Sequence, residues 1–216
     1  MSAVLSTVAA AAPVAAGWSV HTVWMRRQLS RARRDPLTGL PTRALFETRA
    51  RKLLSRGPRA VLLADLNRFK ELNDTFGHAA GDAAIRTTGR RMARWALDHA
   101  GTAARLGGDE FTAVFTVGGE SDLRTALTDL AERLNEPFTH QNAQLPVSAS
   151  IGAVVATGPG TGLPVALRRA DEAMYRCKRS GWDWCIGHGN VSGTGEQING
   201  RRPGRVGATR PEGRQQ

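Results

Sequence analysis

The stretch Ala103-Ala-Arg-Leu-Gly-Gly-Asp-Glu-Phe-Thr-Ala-Val-Phe-Thr-Val117 holds two apolar runs, Ala103–Leu106 and Glu110–Val117, broken by Gly107-Gly108-Asp109. Short apolar runs on either side of a Gly-rich break predict a β-hairpin. Glycine enters positive φ at little steric cost, so Gly107 and Gly108 permit a tight turn. They also leave no side chain between the backbone and a large ligand. A hairpin imposes antiparallel pairing. Whatever sheet these strands join therefore cannot be purely parallel.

Reading outward, Arg59–Asp65 is a short continuous apolar run and predicts a buried strand. Thr42–Leu54, Lys70–Phe76, Asp82–Ala96, Asp122–Asn135 and Leu163–Arg179 predict helices. Val147–Ala156 predicts a strand, and Trp184 and Cys185 belong to a last short one. Helices and strands interleave around the hairpin. The expected fold is α/β, a central mixed sheet with helices on its faces.

The chain has 216 residues, sized for one main domain with appendages. A hydrophobic fraction of 41% excludes a wholly disordered chain, a collagen and a multi-span transporter. Its two cysteines, Cys177 and Cys185, are too few for a disulfide scaffold and lack the spacing of a zinc site. The formal net charge is +11, with much of the excess in the flanks. Residues 1–35 carry five Arg and one Asp, and residues 187–216 carry five Arg and two Glu. The middle is only mildly basic, without the aromatic-basic interleaving of a nucleic-acid groove, so no nucleic-acid partner is expected.

Residues 1–25 contain no Lys, Arg, Asp or Glu. As a helix, Ala3–Trp24 would span about 33 Å, enough to cross the apolar core of a bilayer. Trp18 and Trp24 lie near its end, and Arg26, Arg27, Arg31, Arg33 and Arg34 follow. This predicts a single membrane anchor with an Arg-rich juxtamembrane segment over residues 1–34, keeping the remainder cytoplasmic. A soluble Ala-rich helix or a disordered leader is the competing reading. The main domain is expected over 35–186. The Gly-, Arg- and Gln-rich 187–216 cannot bury enough surface to order itself and reads as a disordered tail.

Carboxylates mark the chemistry. Asp65 closes the first strand, while Asp109 and Glu110 sit at the hairpin turn. If the two strands are neighbours, these acids converge and need a cation or a proton between them. Hard oxygens beside phosphate suit Mg²⁺. The alternative is a solvated acidic turn. A second group lies within 65–82: Lys70 suits phosphate, and Asn73 and Asp82 could read a base edge. A carboxylate accepts from the N1–H and N2–H₂ of guanine but faces the N1 acceptor of adenine unfavourably. The same two residues would equally suit helix caps.

Arg105-Leu-Gly-Gly-Asp-Glu-Phe111 resembles the signature of the GGDEF family, the diguanylate cyclases. Four further blocks are similar to family segments: Asp35-Pro-Leu-Thr-Gly-Leu40, the Asp65–Asp82 run, Val147–Gly152 and Arg169–Lys178. The resemblance covers about residues 35–186 in order and spacing. It implies a palm-like fold of the nucleotide cyclase and polymerase type. It implies condensation of two GTP into cyclic di-GMP, with release of pyrophosphate, across a homodimer. By position, Asp65 and Asp109 match Mg²⁺ (or Mn²⁺) ligands, with the Leu66 carbonyl as a third. Glu110 matches a residue that helps deprotonate the attacking hydroxyl and also touches metal. Asn73 and Asp82 match guanine readers, Lys70 and Lys178 match phosphate contacts, and Gly107 and Gly108 match the close approach to nucleotide.

The departures carry expectations too. Asn67 stands where many members have Asp, lowering the local charge, and Thr42 stands where Asn is frequent, loosening a local turn. Trp182 replaces an Arg that reaches triphosphate, which predicts weaker GTP binding. The family's inhibitory product site is R-x-x-D; the aligned tetrad here is Asp98-His99-Ala100-Gly101, so that site is expected to be missing. His78 is expected to fix a Gly-rich loop, and Met174 and Tyr175 to pack in the core beside Ala170. The competing function is a GGDEF domain without catalysis, binding GTP or a protein partner.

Overall fold

The computed structural model describes Trp18, His21, residues 33–156 and residues 162–187. A five-stranded sheet has the order β2-β3-β1-β6-β7, and a separate pair joins β4 to β5. The strands are β1 Arg59–Leu66, β2 Thr102–Gly107, β3 Glu110–Thr116, β4 Phe138–His140, β5 Ala143–Leu145, β6 Ala149–Ala156 and β7 Trp184–Ile186. The helices are α1 Arg43–Leu54, α2 Phe69–Phe76, α3 His78–Asp98, α4 Glu120–Asn135 and α5 Leu163–Ser180. The β2–β3 hairpin is antiparallel, β1 runs antiparallel to both neighbours, and β7 lies parallel to β6. The sheet is mixed, as the hairpin required.

Strand β1 shows why its sequence is apolar throughout. Side chains of a strand alternate between faces. Ala60, Leu62, Ala64 and Leu66 enter the core with Phe111 and Phe115 of β3, Met92 and Trp95 of α3 and Leu127 of α4. Val61 packs with Val114, Val154, Phe46 of α1 and Ala166 of α5, while Leu63 meets Ala170 and Met174 of α5. Helices cover both faces, so Ala60 to Ala64 are all buried, and only Arg59 and Asp65 keep partial access to water. Burying a residue such as Leu62 fully stabilises by roughly 1.5–3 kcal/mol.

Several expectations are corrected. Helix α3 begins at His78, not at Asp82. The break before it is Gly77 (φ 80), whereas Gly81 lies buried inside the helix. A Cβ at Gly81 would overlap Asn73 Oδ1, so its glycine serves close packing of α2 on α3 rather than a loop. The short β4–β5 pair was not anticipated; Gln141 and Asn142 turn it in the positive-φ region without a glycine. Tyr175 is 62% exposed, while Met174 beside it is buried. Helix α5 turns Met174 to the sheet, and its neighbour faces out. His78 lies exposed at the start of α3.

Helix α5 ends at Gly181, whose φ of 69 supplies the left-handed residue such ends favour. Trp182 N donates to the Cys177 carbonyl at 3.3 Å, and Cys177 Sγ donates to the Trp182 carbonyl at 2.7 Å. Burial and the adjacent Cys185 push the Cys177 thiol up to about 12, so it stays protonated as a donor. Among the described residues no helix is long and apolar enough to cross a membrane. The anchor expected over 3–24 lies outside the described residues except at Trp18 and His21, and the structure lends it no support. The tail beyond Gly187 also lies outside them.

Candidate active site

The β1–β3 register sets Asp65 directly opposite Glu110. The Leu66 amide donates to the Asp109 carbonyl at 3.3 Å, which ties the end of β1 to the hairpin turn. Asp65, Asp109 and Glu110 therefore share one end of the sheet. Helix α5 brings a cation there: Lys178 Nζ lies 2.6 Å from Asp65 Oδ1. Burial pushes the Asp65 carboxyl above its ordinary value, and the charges of Asp109 and Glu110 push the same way. The Lys178 ammonium opposes them. The balance leaves a site with a standing demand for positive charge.

The donors are hard carboxylate oxygens, the chemistry that suits Mg²⁺ or Mn²⁺. Among the described residues, no three His, Cys, Asp or Glu side chains gather closely enough to enclose a metal by themselves. Lys178 occupies the Asp65 carboxylate and so stands where a second positive charge would act. Its expected role on phosphate is therefore joined to a contact with a metal-ligand candidate.

The hairpin turn is pinned from outside the sheet. Gly107 (φ 152) and Gly108 (φ 55) take conformations that side-chain-bearing residues rarely adopt. Arg105 Nε donates to the Gly108 carbonyl at 2.9 Å, and its Nη1 reaches Asp35 Oδ2 at 3.1 Å. Asp35 Oδ1 also accepts from Thr38 N at 2.8 Å and Thr38 Oγ1 at 2.6 Å. Burial raises the Asp35 carboxyl, but the Thr38 hydrogen bonds and Arg105 outweigh it and hold it below the usual range. Arg105 and Asp35 were quoted in separate motifs. Their contact, across 70 positions of chain, was missed, though an Arg before the glycines and an Asp at the entry turn were its signal.

Helices α2 and α3 carry the remaining candidates. Asn73 lies half-buried against Gly81, beside the exposed Asp82, so the two guanine-reader candidates come together. Neither caps a helix: the caps are Arg68 before α2 and Gly77 before α3. Lys70 is exposed in the first turn of α2. Asn67 Nδ2 donates to Ser148 Oγ at 3.1 Å, just before β6, and its Oδ1 accepts from Ser150 Oγ of β6 at 2.8 Å. Asn67 thus bridges strands here. Thr42 precedes α1 with no side-chain cap hydrogen bond.

The family model for the diguanylate cyclase GGDEF domain matches residues 32–183. This chain belongs to the GGDEF family. An uncharacterised 19.3 kDa protein of Streptomyces ambofaciens is 48% identical over 164 residues, 75% of this chain and 87% of the relative. Diguanylate cyclase DgcZ of Escherichia coli is 33% identical over 160 residues, 72% of this chain and 53% of that protein. The chain thus spans about half of DgcZ. Among solved structures, the coiled coil and GGDEF domain of DgcB from Caulobacter crescentus, in complex with c-di-GMP, is similar at a TM-score of 0.73. It is 26% identical, over 84% of this chain and 98% of that one. The mixed sheet flanked by helices is the palm-like fold of these GGDEF domains.

Proposed function

We propose that this GGDEF chain is a divalent-metal-dependent diguanylate cyclase that works as a homodimer. Each protomer would hold one GTP, with the two sites face to face. The 3′-hydroxyl of one GTP attacks the α-phosphorus of the other. An oxygen–phosphorus bond forms, the α–β anhydride breaks, pyrophosphate leaves and the hydroxyl gives up its proton. The step is repeated with roles reversed to close the ring. Such transfer depends on placement and charge neutralisation more than on a covalent nucleophile.

The observation that carries the reading is Asp65 opposite Glu110, with Lys178 drawn onto Asp65 at 2.6 Å. Asp65, Asp109, Glu110 and the Leu66 carbonyl would hold Mg²⁺ or Mn²⁺. The ion would supply charge neutralisation on the triphosphate and a lower hydroxyl pKa. Glu110 accepts the hydroxyl proton. Lys178 and Lys70 bind phosphate oxygens, Gly107 and Gly108 leave room for nucleotide, and Asn73 and Asp82 read the guanine edge. The inhibitory product site is absent at 98–101, a reading supported by Asp98, whose carboxylate pairs with Arg133 Nη1 at 3.0 Å where the R-x-x-D pattern has its Arg. Purified chain with GTP and Mg²⁺ should yield cyclic di-GMP. Glu110→Ala should reduce that yield to background while its thermal unfolding stays that of the parent. Nucleotide binding without product in the parent chain would replace the cyclase with a GTP-binding module.

A further inference from the structure

Cys177 and Cys185 are the chain's two cysteines, and the fold brings them together. Cys177 lies in the last turns of α5 and Cys185 in the middle of β7. Both are buried and carry free thiols. They pack with Ala173 into one cluster, and the Cys185 sulfur stands within hydrogen-bonding reach of the Cys177 thiol. A disulfide asks for Cα atoms within about 7 Å of each other. Glycines beneath α5 allow the helix a close approach to the sheet. A Cβ on Gly152, the register partner of Cys185, would overlap the Ala170 carbonyl and the Met174 amide, and one on Gly187 would crowd Val154.

The two thiols have different surroundings. Cys177 is fully enclosed, and its Sγ donates to the Trp182 carbonyl at 2.7 Å. Burial, the first cause of its raised value of about 12, keeps it protonated. Cys185 is 8% exposed and lines a cleft of about 570 Å³ together with Arg124, Arg176, Trp182 and Trp184. Trp182 stands one turn past Lys178, so this cleft is part of the candidate active site. The sulfur that a small polar oxidant can reach is that of Cys185.

We propose that Cys177 and Cys185 form a reversible, peroxide-responsive disulfide, in which Cys185 reacts first and Cys177 resolves it. The Cys185 sulfur gives up its proton and attacks one oxygen of hydrogen peroxide. The O–O bond breaks, water leaves and Cys185 becomes a sulfenic acid. The Cys177 sulfur then displaces the hydroxyl. An S–S bond forms, the S–O bond breaks, and the Cys177 proton leaves with the hydroxyl as a second water. Two thiols lose two electrons and two protons, which reduce one peroxide to two waters. A small dithiol reverses the bond by exchange and becomes the disulfide itself. Oxidation takes the Cys177 proton away from the Trp182 carbonyl, so the hydrogen bond behind Trp182 is lost. The redox state is thereby written into the segment that carries Lys178 and Trp182.

Thiol titration of the full chain in denaturant tests this. The reduced chain should show both thiols. After hydrogen peroxide it should show neither, lose two hydrogen atoms in intact mass, give no cross-linked dimer on non-reducing electrophoresis and regain both thiols with dithiothreitol. Trypsin cuts at Arg176, Lys178 and Arg179, so the Cys177 and Cys185 peptides should stay joined until reduction. Cys177→Ser should stop at the sulfenic acid, and dimedone should capture Cys185 there at least about tenfold more than it captures Cys177 in Cys185→Ser. Both thiols surviving in the peroxide-treated parent overturns the proposal. So does a cross-link between chains, or equal capture in the two variants with melting curves like the parent's. Should either variant fail to fold, the parent's thiol count and joined peptides decide alone. None of these readouts involves GTP, so they stand whether or not the chain makes cyclic di-GMP.

Discussion

At the scale of single residues, the site turns on charge. Burial and two neighbouring acids raise the Asp65 carboxyl, and Lys178 answers them. Trp182 removes a charge the family places nearby. A charge-assisted hydrogen bond to phosphate contributes about 1.5–3 kcal/mol. Trp182→Arg should therefore lower the KM for GTP by roughly tenfold or more, read from initial rates against GTP concentration. An unchanged KM would show that the indole costs the substrate nothing. Asn67 was legible as a departure but not in its role. Its bonds go to Ser148 and Ser150, more than 80 positions away in the chain, and nothing in its local sequence shows that pairing.

Two elements carry the site's precision. One is the entry turn bound to the hairpin through Asp35 and Arg105, whose side chains are 17% and 15% exposed. The folded carboxyl of Asp35 titrates below its ordinary value of 3.8. A depressed pKa contributes stability that is present above the unfolded value and lost as pH falls through the folded one. Asp35→Asn should cost about 1–2 kcal/mol at neutral pH. The gap to the parent, measured by urea unfolding, should close as pH drops below 3.8. A gap that is constant across that window would remove the ion pair from the account. The other element is α5 on β6. A Cβ on Gly152 would overlap the Ala170 carbonyl and the Met174 amide. Gly152→Ala should cost at least about 1–3 kcal/mol by overpacking, seen as a lower urea midpoint at unchanged slope. An unshifted midpoint would show that α5 moves aside freely.

For the molecule as a whole, the described residues of one chain bring Asp65, Asp109 and Glu110 to one end of the sheet, and the proposed ring closure needs two GTP. The rate of product formation per chain should rise with protein concentration in the dilute range and level off once pairs saturate. A rate per chain that is flat on dilution would argue against catalysis between copies. The sequence by itself determined the hairpin, the buried central strand and the five helices. It could do so because turn chemistry, hydrophobic periodicity and motif spacing are local and act within a few residues of chain. It placed the start of α3 at Asp82, whereas the helix begins at His78. Only tertiary structure shows that Gly81 makes room for Asn73. Tertiary structure alone set Lys178 on Asp65, Arg105 on Asp35, and two tryptophans with two arginines around one cleft. Each of those contacts joins segments far apart in sequence. For Lys178 and the cleft that geometry follows from how α4 and α5 pack on the two faces of one sheet, and for Arg105 from the entry turn lying against β2, which no local pattern encodes.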